Sequence, residues 1–94
     1  MMFEERRQRF YLGQIVVTSN ALNILDEGSI RIAIRRHGAG EWGELDSHDL
    51  EENERALREG GRLLSVFRDR TGTRFYVITD SDRSVTTVLL PEDY

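Results

Sequence analysis

Two histidines, His37 and His48, are the side chains of this sequence that titrate near neutrality, so they are where acid–base chemistry would have to start. His37 falls at the end of a helical pattern, where a positive charge suits the helix dipole, and His48 falls in the first turn of the next helix, in solvent. A metal set of His37, Glu41, Asp46 and His48 can be drawn. Its spacing matches no compact ligand motif, and the intervening loop would have to fold back to close it. No Gly-x-Ser-x-Gly elbow supports a serine hydrolase. Asp80-Ser81-Asp82-Arg83-Ser84 has neither the glycines of a phosphate loop nor the length of a calcium loop, and reads as a turn held by its aspartates. No catalytic residue, metal or cofactor is assigned.

Charge offers two further candidates. Between Glu41 and Glu59 there are eight acids against two arginines, whereas 1–36 has six arginines against four acids and 60–94 balances at five each. Trp42, Glu44, Asp49, Glu51, Glu52 and Glu54 form a candidate protein-binding surface, in which the acidic helix meets an arginine-rich partner or imitates nucleic-acid phosphates. The plainer reading is a solvated helix face, with Glu51–Arg55 and Glu54–Arg58 as i,i+4 pairs. The other candidate is an RNA-binding face of Arg68, Arg70, Arg74 and Arg83 joined by Tyr76. There the plainer reading pairs those arginines with Asp69, Asp80 and Asp82 in the turns. All thirteen basic residues are arginine, which removes lysine nucleophiles and Schiff bases but leaves forked donors for carboxylate or phosphate.

The bulk numbers bound the class. Ninety-four residues, 38% hydrophobic and 32% charged, make one globular domain spanning 1–94. A net charge of −4 argues against nonspecific nucleic-acid binding. No apolar run approaches the roughly 20 residues of a membrane span, and Met1 to Arg9 lacks the apolar stretch of a signal peptide, so a cytoplasmic location is expected. Without cysteine there is no disulfide and no thiolate metal site.

The elements that must position these groups are clearest at the end of the chain. Arg62 to Phe67, Thr73 to Thr79 and Ser84 to Leu90 are rich in β-branched and aromatic residues, and the Asp69–Gly72 and Asp80–Arg83 segments between them are turn formers. They predict an antiparallel meander, with Phe75, Val77 and Thr79 on one side of its middle strand and Arg74, Tyr76 and Ile78 on the other. A first strand is expected at Gln14 to Thr18. A short helix capped around Thr18 and stopped by Gly28 follows, then a second capped by Ser29 that puts Ile30, Ala33, Ile34 and His37 on one face. A glycine-rich loop holds Trp42, whose indole is expected to anchor it by burial. A third helix runs from the Asp46-Ser47 cap to Glu59 with Leu50, Ala56 and Leu57 as its apolar side. The fold class expected is therefore α+β, an antiparallel sheet with about three helices on one face.

Gly40-Glu41-Trp42-Gly43-Glu44-Leu45, Gly61-Arg62-Leu63-Leu64-Ser65, Gly72-Thr73 and the block from Ile78 to Tyr94 resemble a family of small bacterial proteins carried on plasmids and integrated elements. The resemblance covers about Gly13 to Tyr94 and implies a mobile-element setting, without an activity, ligand or catalytic residue. It leaves Met1 to Leu12 as an extension. The order of elements is also similar in topology to toxins of the RelE and ParE type, although those are typically basic. Together these readings lead to a small non-enzymatic module that binds another protein, in one version an inhibitor of a host defence system acting through its acidic helix. The alternative is a toxin-like ribonuclease. Tyr76, Arg83 and Trp42 are interface-type anchors, and a homodimer is compatible with the exposed strand edges.

Overall fold

A computed structural model describes residues 7–94. Its elements are β1 (Gln14–Val17), α1 (Ser19–Ile24), α2 (Glu27–Gly38), α3 (Ser47–Glu59), β2 (Leu63–Arg68), β3 (Arg74–Thr79) and β4 (Val85–Leu89), closed by a 3-10 turn at Pro91–Asp93. The α+β class and the β2-β3-β4 meander are as expected, and the four strands lie in the order β1-β4-β3-β2. One orientation differs from the antiparallel sheet expected. β1 runs parallel to β4, with Gln14 opposite Val85 and Val17 opposite Val88. The reason lies in the connection: two antiparallel steps make β2 and β4 run the same way, and the helical crossover from β1 to β2 returns the chain to the end at which β1 began, so all three run in one direction.

The main core sits between the helices and one sheet face. Ala21, Leu25, Ile30 and Ala33 pack on Phe67, Phe75, Val77, Val88 and Leu90. Alternation along β3 puts Phe75, Val77 and Thr79 on this side, as expected, and Arg74, Tyr76 and Ile78 on the other. A smaller cluster of Trp42, Ala56 and Leu63, backed by Phe10, Leu45 and Leu57, fills the space under α3.

Helix boundaries show which polar residues compete best for exposed amides. Thr18 caps α1 by accepting from the Ala21 N–H, but α1 ends at Ile24, before Gly28. Asp26, not Ser29, caps α2: its carboxylate accepts from both the N–H and the hydroxyl of Ser29, and a carboxylate is the stronger acceptor. Asp46 caps α3 as expected. The buried side of α3 is Asn53 and Ala56, whereas Leu50 is exposed.

The two sheet edges are treated differently. Along β2, Asn53 donates to the Leu64 carbonyl and accepts from the Leu64 N–H. Two residues on, the Val66 N–H donates to the Trp42 carbonyl and the Val66 carbonyl accepts from the Glu44 N–H. Gly43 makes that contact feasible, because at φ +74° its Cα passes so close that a Cβ would sit 2.0 Å from the Val66 carbonyl oxygen. This edge is plugged. β1 forms the other edge and is mostly exposed.

Arg9 to Leu12 belong to the fold rather than to an extension. The Arg9 N–H donates to the Gly38 carbonyl, Phe10 packs beside Trp42, and the Leu12 carbonyl accepts from Thr86. Residues 1–6 of that expected extension lie outside the described residues. Among the described residues no helix is long and apolar enough to cross a membrane.

Candidate binding surface

His37 is the most deeply placed ionisable group described, with no exposed surface. Its Nδ1 lies 2.5 Å from Ser65 Oγ and its Nε2 lies 2.8 Å from Thr79 Oγ1. The proton positions follow from the far end of the chain of hydroxyls. Thr86 donates to the Leu12 carbonyl at 2.6 Å, so Thr79 must donate to Thr86 at 2.7 Å and therefore accepts from His37 Nε2–H. That leaves Nδ1 to accept from Ser65. The arrangement fits a neutral ring, and burial, helped by the nearby Arg83 charge, holds the imidazole down to about 3.

The expectation of a dipole-stabilised cation at His37 is thus corrected: periodicity placed the ring on the buried face, and burial discharges it. Ser65 and His37 stand at the spacing of a nucleophile and its base, but both are fully buried and no substrate reaches them. His48 is exposed at the start of α3. With both His37 nitrogens engaged inside the core, the set His37, Glu41, Asp46, His48 is not assembled, and no group of metal-ligating side chains occurs among the described residues.

The acidic candidate surface is largely spent on internal contacts. Trp42 is 5% exposed, its indole N–H donates to Glu54 at 2.9 Å, and its ring packs near Phe10 and His37. It anchors its loop and is not available as an exposed determinant. Glu54 also faces Arg9 at 3.6 Å, Glu44 pairs with Arg68, and Glu52 pairs with Arg55. The Glu51–Arg55 and Glu54–Arg58 pairs expected along the helix do not form, because Arg55 turns to Glu52 and Glu54 turns to the indole. Asp49 and Glu51 remain exposed without an ion-pair partner among the described residues.

The arginine candidates part, except that Arg68 stands directly opposite Arg74 across β2–β3. Arg83 is structural: its guanidinium donates to the carbonyls of Gly61, Asp80, Ser81 and Ala56, lies over Phe10, and holds a backbone at φ 62°. Arg68 binds Glu44 and the Gly72 carbonyl. Arg70 faces Asp26, not a turn aspartate. The expected pairing of arginines with Asp69 and Asp82 is replaced by backbone capture. Asp69 is buried, which alone would raise its pKa, but N–H and hydroxyl donors from Asp26, Thr71 and Thr73 outweigh that and hold it down to about 2. The Ser84 hydroxyl and N–H likewise lower Asp82.

Arg74 and Tyr76 do come together, and the structure adds two residues to them. On the sheet face away from the helices, the Arg74 guanidinium lies 5.8 Å from the centre of the Tyr76 ring. Tyr76 meets Tyr94 edge-on at 6.0 Å, and Arg62 lies 5.3 Å over Tyr94 while donating to its hydroxyl. Asp93 sets this up. It accepts from Thr18 and Asn20 at 2.7 Å each and from the Leu90 N–H, tying the closing turn to α1 so that Tyr94 crosses β3. Those donors, Asn20 foremost, lower its pKa.

Arg62, Arg74 and Tyr94 are exposed, Tyr94 by 65%, and neither arginine has a carboxylate partner among the described residues. Sequence reasoning missed Arg62 and Tyr94. The signal was present only as an arginine at a strand entrance and an aromatic after a proline turn. No family model, curated protein or solved structure matches the chain.

Proposed function

We propose that this chain is a non-enzymatic protein-binding module, and that it engages its partner through the Arg62–Tyr94–Tyr76–Arg74 ladder. The observation that supports this reading is the coincidence of an exposed tyrosine ring, Tyr94, and a half-buried one, Tyr76, with two arginines that have no carboxylate partner among the described residues. Tyrosine supplies a large contact area at low entropic cost, and arginine forks carboxylates; interfaces draw their strongest anchors from these types. The partner surface that fits is an apolar spot rimmed by acidic residues. In the mobile-element setting implied by the sequence resemblance, such a module regulates or inhibits another protein. The acidic helix is a lesser contributor, since Glu44, Glu52 and Glu54 are already paired.

A second reading, RNA binding by a toxin-like protein, draws on the same Arg74 and Tyr76, because stacked aromatics and arginines also hold single strands. The net charge of −4 disfavours it. Affinity capture with the wild-type chain and with an R62E/R74E double variant separates these readings. Protein capture lost in the double variant, with the melting temperature unchanged, supports the proposal. Capture that survives charge reversal, or RNA as the species lost, contradicts it.

A further inference from the structure

The edge at β1 is open among the described residues. In the parallel pair with β4, the Gln14 N–H donates to the Ser84 carbonyl and the Thr18 N–H to the Val88 carbonyl. Strand alternation then turns the N–H and C=O groups of Ile15 and Val17 away from β4, toward the edge. Nothing among the described residues pairs with them, whereas the corresponding groups of β2 at Leu64 and Val66 are satisfied by Asn53, Trp42 and Glu44.

We infer that β1 pairs antiparallel with β1 of a second copy about a two-fold axis at Val16, joining the two sheets into one. The register is self-complementary. A two-fold through Val16 sets Ile15 opposite Val17 of the other copy and Val17 opposite its Ile15, and these are the residues whose backbone groups point outward. Each pair exchanges both of its N–H···O bonds, and Val16 faces Val16 in the close, non-bonded position. Charge permits it as well. The strand is Gln-Ile-Val-Val, so no like charges meet across the axis, and it carries none of the lysines, prolines or bulges that protect edge strands. Ile15 and Val16 are 41% and 38% exposed, so the pairing also removes apolar surface from water.

A four-residue strand contributes little area, so the dimer forms and dissociates with concentration. This inference is independent of the tyrosine–arginine surface, which lies on β3 and the closing turn.

Residue-resolved amide exchange of the full chain, measured over a concentration series alongside sedimentation equilibrium, tests it. The expected result is that protection at Ile15 and Val17 rises with concentration while Val16 and Thr18 stay protected throughout. The mass should move from 10.9 kDa toward twice that value over the same range. Val17→Pro removes an outward donor and leaves every β1–β4 bond in place, so it should abolish the mass increase; a lower melting temperature is expected as well, since Val17 packs on the main core. Should that variant fail to fold, the wild-type exchange data still decide. Ile15 and Val17 exchanging freely at every concentration, or protected equally at every concentration by a segment of the same chain, would overturn the inference. So would a dimer that persists in a folded Val17→Pro variant.

Discussion

The side chain of Asn53 donates to the Leu64 carbonyl at 2.5 Å and accepts from the Leu64 N–H at 3.1 Å, so one amide stands in for a neighbouring strand. Asn53→Ala removes both bonds and leaves two backbone groups of a half-buried edge unsatisfied. The expected loss is about 1–3 kcal/mol of stability, together with a new tendency to associate through β2. Chemical denaturation and light scattering check both. A variant that melts like wild type and stays dispersed would show that the edge needs no plug.

That asparagine also marks where the sequence stops being readable. The meander was legible because Leu63 to Phe67, Arg74 to Thr79 and Val85 to Leu89 combine β-branched residues with turn formers between them, and those are local properties. Periodicity likewise put Ile30, Ala33 and His37 on one buried face. Asn53 was not legible, because a polar residue among Glu51, Glu52 and Glu54 looks solvated until β2 is placed beside it. The direction of β1 depended on a crossover that no residue of β1 encodes. The hydroxyls that fix His37 come from Ser65, Thr79 and Thr86, residues that in isolation read as ordinary strand formers. Of the arginine face, Arg74 stands with Tyr76 and opposite Arg68 across β2–β3 as local strand pattern allows, whereas Arg62 and Tyr94 reach them only through the packing of distant chain segments.

Acid should destabilise the fold through His37. Its pKa is about 3 in the folded protein against 6.5 ordinarily, so between these values the unfolded chain binds a proton that the folded one does not. Stability is therefore complete above pH 6.5 and falls as pH drops toward 3, by an amount on the order of a few kcal/mol. Asp69 adds a later loss as pH falls from 3.8 through about 2, where its captured carboxylate must protonate. Ring nitrogen shifts of His37 should report Nε2–H and a bare Nδ1 down to about pH 4. An imidazolium signal from this residue at pH 6 would refute the buried network.

Arg83→Lys should cost about 2 kcal/mol, because a lysine point charge cannot serve four carbonyls from the end of α3 to the β3–β4 turn. Thermal melting measures it. If the variant is as stable as wild type, the guanidinium is not what ties the turn to the helix, and Arg83 returns to the set of candidate contact residues.

Gly43→Ala should cost about 2 kcal/mol or more, since the residue sits at φ +74° and its new methyl would meet the Val66 carbonyl at 2.0 Å. The loop must then draw back, breaking the Val66 bonds to Trp42 and Glu44. Tryptophan fluorescence should shift to the red as the indole leaves the core. A stable variant with unshifted emission would contradict this account of the loop.

Site-specific photo-crosslinking tests the binding surface most directly. A benzophenone amino acid is placed at Tyr94 or at Arg74, on the ladder, and at Glu51, on the exposed side of α3, and the chain is irradiated in its native cell. Adducts to one protein from positions 94 and 74, and none from 51, are the predicted result. Protein adducts confined to position 51, or adducts to RNA from position 74, would contradict it.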